Sequence, residues 1–128
     1  MNHSTNYRST LIIVAEDCPV DKASPPEKVG SVAHLHYELL RHAPYSLTSD
    51  ELLLAVDKAR SGSINEAVWA KKSRACLRAS PLVKRYGFGL HHDAEARVAL
   101  VPVCSDAYKQ MLINPAIMKR QGMRNRRN

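Results

Sequence analysis

The sequence predicts an α+β domain: a small, mostly antiparallel sheet of about three strands, covered by three to four helices. Three segments rich in β-branched, aromatic or other apolar residues supply the strands, at positions 9–16, 86–92 and 97–103. Stretches with helical apolar spacing lie between and after them, most opened by a recognisable cap. A chain of 128 residues is long enough for one hydrophobic core, and too few strand segments remain to build a second sheet. Positions 1–121 therefore read as a single domain and 122–128 as a flexible basic tail.

The first strand is carried by the continuous run Leu11–Val14, which suits a strand covered on both faces and stops before Pro19. The stretch 20–30 holds Pro25, Pro26 and Gly30 and reads as a loop. A first helix is expected over Val32–His42, capped by Ser31 and closed by Pro44, with Val32, Leu35 and Leu39 turned inward. Thr48 and Glu51 form a capping box for a second helix that ends at Gly62. Ser63 and Glu66 repeat that signature for a third helix running to about Arg74.

Tyr86, Phe88, Leu90 and His92 alternate with Gly87, Gly89 and His91, and after a polar turn at 93–96 the strand 97–103 completes a β-hairpin. Pro102 has no amide proton, so its strand belongs at an edge. The hairpin is expected to join the first strand, with helices on one face of the sheet. Ser105 caps a further short helix, Asn114-Pro115 breaks it, and a last helical turn carries Ile117 and Met118 into the tail.

Charge is unevenly spread. The net charge is +7, yet five of the nineteen basic residues fall in the last ten positions, leaving fourteen against twelve acids in the body. Such a tail attracts phosphate-rich partners through salt-sensitive electrostatics, or only aids solubility. No run approaches the ~20 apolar residues of a membrane span, and the apolar run at Leu11–Ala15 is too short for a signal-peptide core. Cys18, Cys76 and Cys104 are odd in number and contain no CxxC pair. The expectation is a cytoplasmic protein with free thiols, no metal site and no membrane contact.

The chemistry concentrates between Cys76 and Val103. Arg78, Ser80, Lys84 and Arg85 supply three cations and a hydroxyl beside Tyr86, whose ring can stack on a planar group. These five, with His91, are the anion-binding candidates. The bland alternative has Arg78 and Arg85 pairing with helix acids to pin the loop. No phosphate-loop or dinucleotide fingerprint is present, and no cofactor is expected. Gly87 and Gly89 suggest close approach of a helix, a strand or a ligand to one face. His91 and His92 point to opposite faces and would not share a metal; either could act as a general base or remain a packed side chain. Cys76, two residues before Arg78, is the best placed cysteine for nucleophilic chemistry, although a buried thiol is the plainer reading. Glu16 and Asp17 follow the first strand directly and are the acidic candidates.

Several fragments carry a resemblance in the same order along most of the chain: AEDCPV, PPEK, YELL, T-x-D-E-L, CLRASPL-x-KRYG-x-G, HHD and VAL. Together they resemble the small proteins catalogued as domain of unknown function 6157. The resemblance implies one continuous domain and lends no mechanism. Val83 stands where that pattern usually has a second proline, Phe88 where it has tryptophan, and Ala96 where the turn has glycine. The last change is expected to lengthen or distort the hairpin turn.

The leading expectation is a non-enzymatic module that binds an anionic partner, either nucleic acid or a phosphorylated small molecule. The alternative from another class is a small enzyme using His91 or Cys76 with Glu16 or Asp17. A third is a structural or interaction protein without a ligand. A pocket uniting Glu16 or Asp17 with His91 and Arg85 would favour the enzyme, and a flat basic face continuous with the tail would favour binding. The deciding observation is whether Glu16, Arg78, Arg85 and His91 converge in one concave site.

Overall fold

The computed structural model describes residues 3–126, and the statements below concern those residues. In chain order the elements are β1 (Thr10–Ile13), α1 (Val32–His42), α2 (Ser49–Ser61), α3 (Glu66–Lys71), a 3-10 turn (Leu77–Ala79), α4 (Pro81–Arg85), β2 (Phe88–His92), β3 (Val98–Pro102), α5 (Asp106–Ile113) and β4 (Met118–Gln121). The α+β class is as expected. The sheet is mixed and has four strands, one more than the sequence reading expected, in the order β3-β2-β1-β4.

Local signals account for most helices. Ser31 accepts the His34 amide proton and opens α1. The capping box of Thr48 and Glu51 opens α2, and Gly62, at φ 88°, ends it in the conformation glycine adopts most easily. Ser105 opens α5. The third helix departs from expectation: Asn65, not Ser63, caps it, and it stops at Lys71. The chain beyond it turns so that Arg74 lies over the Trp69 ring at 3.5 Å. The loop expected at 78–85 contains a helix, because Ser80 and Pro81 supply the cap and the first-position proline that a helix start favours.

The hairpin pairs without slippage from Phe88↔Pro102 to His92↔Val98, and β2 pairs antiparallel with β1. At the turn Ala96 takes φ 68°, a value glycine accepts more readily. Pro102 lies on an edge strand, β3, as its missing donor requires. Part of that edge is covered by the loop before α2, where Tyr45 N–H donates to Val98 and Val98 N–H to Leu47, each at 2.9 Å.

The fourth strand replaces the expected last helical turn. Its sequence, MKRQ, has no apolar alternation, so its own side chains do not explain it. Backbone pairing does: β4 lies parallel to β1, with Met118 N–H bonded to Ser9 at 2.8 Å and Gly122 N–H to Ile13 at 2.9 Å.

Helices lie on both faces of the sheet, where one covered face was expected. Ile12, Phe88, Leu90 and Val98 pack with Leu40, Leu52, Leu82 and Val83 of α1, α2 and α4. On the other face Leu11 and Val101 pack with Tyr108 of α5. Gly89 makes that second layer possible, since a Cβ there would lie 2.7 Å from a ring carbon of Tyr108. Its helix-packing reading holds. Gly87 does not share its role: it precedes β2, at φ 76°, against the Lys22 backbone. No helix among the described residues is long and apolar enough to cross a membrane.

Candidate anion-binding site

The short helix α4 ends on Lys84 and Arg85, and Tyr86 is its C-cap. These three face a cleft of about 340 Å³ whose opposite wall is the start of α1, with Lys28 and Ser31 at the rim and Val32 and Ala33 below. Among the described residues, neither aspartate nor glutamate lines the cleft. Lys28, Lys84 and Arg85 form no ion pair among the described residues. Arg85 Nε donates to Asn125 Oδ1 at 3.2 Å, and its terminal nitrogens make no hydrogen bond among those residues. The first turn of α1 holds no acid. Its partial positive charge therefore adds to that of the three side chains.

The other candidates have structural partners. Ser80 is buried; its Oγ accepts the Leu82 amide proton at 3.2 Å and bonds His36 Nδ1 at 2.9 Å. Arg78 turns away from the cleft and its Nε donates to the Gln121 carbonyl at 2.6 Å, while its own carbonyl accepts from Met123. It shares a second, shallower depression with Glu16, Gln121 and Arg124. Cys76 Sγ meets the Tyr7 hydroxyl at 3.2 Å.

Glu16 and Asp17 hold the C-terminal segment. Glu16 pairs with Arg124. Asp17 accepts the amide protons of Asn125 and Arg126 and one from the Asn125 side chain. Those donors, the Asn125 amide foremost, hold the Asp17 carboxyl below its usual range. Of the expected tail, 122–126 thus lies along the turn after β1, with Gly122 buried; positions 127–128 fall outside the described residues.

His91 is elsewhere. Its Nδ1 meets the Tyr45 hydroxyl at 2.8 Å. Burial lowers its pKa and raises that of Tyr45, with Asp93 opposing the first shift and adding to the second. His91 pairs with Leu11, five positions before Glu16, which is on the order of 15 Å of extended chain. Glu16 and Arg78 therefore come together, Arg85 joins them only through Asn125, and His91 does not.

A family model described as a family of unknown function, DUF6157, matches residues 2–128. The chain belongs to that family. No match is found among curated proteins or among solved structures.

In this DUF6157 member, sequence reasoning reached Lys84, Arg85 and Tyr86 but not Lys28 or the role of the α1 start. The available signal was Ser31 as a cap followed by a first turn without acids. His36 was also missed, since a histidine on an otherwise ordinary helix carries no sequence mark. No group of three or more metal-ligating side chains occurs among the described residues.

Proposed function

We propose that this protein binds a small phosphate-bearing ligand in the cleft between the start of α1 and the end of α4. The observation that carries the proposal is three cations without carboxylate partners around one concavity. An anion there would meet Lys28, Lys84 and the free fork of Arg85, with the α1 amides behind and the Tyr86 ring at the side. Concavity favours a compact phosphate compound over a nucleic-acid backbone, which would track a broader basic surface. An enzyme using His91 or Cys76 with Glu16 or Asp17 draws less support, because those groups bond to different neighbours. Three free cysteines suit a cytoplasmic setting, which we include in the proposal.

The test is calorimetric titration with pyrophosphate, a nucleoside diphosphate and a short single-stranded oligonucleotide at two salt concentrations. Arg85→Ala should weaken binding of the small phosphates by roughly tenfold or more, the cost of a lost charge-assisted hydrogen bond. It should leave the melting temperature nearly unchanged, since Arg85 is exposed. Arg85→Lys should recover only part of the affinity, because the planar fork is lost. Absence of binding to any of the three at low salt removes the proposal. Binding confined to the oligonucleotide, with a steep salt slope, moves the reading to nucleic acid.

A further inference from the structure

The helix α3 buries none of its side chains. Two polar contacts hold it against α2: Lys58 pairs with Glu66 at 3.1 Å, and Trp69 Nε1 donates to Asp57 Oδ2 at 2.8 Å. Residues of both helices line a groove of about 590 Å³, which shares no residue with the phosphate cleft. Ile64, Val68 and Trp69 give it an apolar wall, and Val68 is 51% exposed. A lone exposed valine is ordinary, but this one stands beside two more apolar side chains in one concavity.

Trp69 is fixed in place. Its ring lies under the Arg74 guanidinium at 3.5 Å, and its carbonyl accepts from the same arginine. Arg74 does not line the groove, so that contact leaves open the part of the indole that does. The charged residues of the lining are Asp57, Arg60 and Lys72, two cations against one acid. Asp57 is engaged with the indole, and the nearby Glu66 is taken by Lys58. Arg60 and Lys72 form no ion pair among the described residues. The groove thus combines an apolar wall with two cations that lack a carboxylate.

We propose that this groove binds a small carboxylate carrying an aliphatic chain, the chemistry of a short fatty acid. Its volume lies within the range of small-molecule sites. The chain of the ligand covers Val68 and Trp69, and its carboxylate supplies the partner that Arg60 and Lys72 lack. A phosphate compound without an apolar body gains nothing from this wall, and an apolar cation meets like charge. A second copy of the chain is disfavoured on the same ground, since each copy carries a net charge of +7.

Trp69 is the only tryptophan, so its emission reports on the groove directly. Octanoate, octanol and octylamine share one chain and differ in the charge of the head group; each is titrated into the full-length protein. Octanoate should shift Trp69 emission saturably to the blue and protect it from acrylamide. Octanol should bind about fivefold more weakly, as the loss of exposed ion pairs implies, and octylamine more weakly still. Arg60→Gln combined with Lys72→Gln should erase the advantage of octanoate over octanol without altering the thermal melt, since both residues are exposed. Val68→Asp, also at an exposed position, should abolish octanoate binding, whereas Arg85→Ala should leave it intact. The proposal is overturned if octanoate neither shifts nor protects the emission, or if octanol or octylamine binds as well as octanoate. It is equally overturned if the double variant keeps the octanoate advantage, or if Arg85→Ala removes the binding. Emission that changes with protein concentration alone would also overturn it, assigning the groove to a second copy of the chain.

Discussion

Arg78 and Arg85 sit seven positions apart in one segment and do different work. Arg78 is partly buried and its Nε satisfies the carbonyl of Gln121 on the outer strand β4. Arg85 is exposed and holds only Asn125 through Nε. Arg78 thus pins the chain, through a carbonyl and not a helix acid, and Arg85 is the arginine left for the proposed anion contact. Arg78→Ala should lower stability by about 1–3 kcal/mol, the cost of leaving a part-buried carbonyl without its charged donor. Phosphate affinity should not change. Denaturant melts and phosphate titrations of the same variant check both halves, and a loss of affinity at unchanged stability would place Arg78 in the cleft. Ser80 is likewise engaged within the fold: its buried hydroxyl caps α4 and bonds His36 Nδ1.

At the scale of elements, β4 is the instructive case. Its residues alone do not suggest a strand; it exists because β1 offers an open row of donors and acceptors. The chain must then pass very close to β1 at Gly122. A Cβ there would lie 2.8 Å from the Ile13 carbonyl oxygen and 3.1 Å from the Ala15 amide nitrogen, both backbone atoms that cannot rotate aside. Gly122→Ala should therefore destabilise the protein by about 1–3 kcal/mol, as overpacking does. Amide exchange at Met118–Gln121 should quicken with it. Unaltered stability in that variant would mean that β4 does not pair as described. Element α4 shows the converse, a helix legible from Ser80-Pro81 once those residues are taken as cap and first position.

For the whole molecule, two buried histidines tie stability to pH. His36 and His92 are almost fully enclosed, and burial lowers both from 6.5 to about 4; for His92 the neighbouring His91 adds to the effect. The unfolded chain takes up these protons near 6.5, whereas the folded chain resists until about 4. Neutral burial thus stabilises the fold fully above pH 6.5, and that stability is lost as pH falls toward 4, by on the order of 3 kcal/mol for each histidine. Chemical denaturation from pH 7.5 to 4.5 should show a marked decline. His92→Phe keeps the edge contact with Tyr7 and removes one proton site, so its decline should be about half as steep. A wild-type curve flat across that window would contradict the burial of both rings.

What the sequence determined by itself is the set of locally encoded parts. Ser31, the Thr48–Glu51 box, Gly62 and Ser105 mark helix ends within a few residues of the groups they satisfy, so α1, α2 and α5 are legible without a fold. The hairpin is equally local. The candidate site was half legible, because Lys84, Arg85 and Tyr86 are contiguous and Lys28 is far away in sequence. Tertiary structure alone decided the rest. It placed β4 beside β1 and α5 on the second face, turned Arg78 toward a strand edge, separated His91 from Glu16, and brought the start of α1 to the end of α4. Each of these depends on contacts between residues distant in the chain, where side-chain periodicity carries no record of the partner.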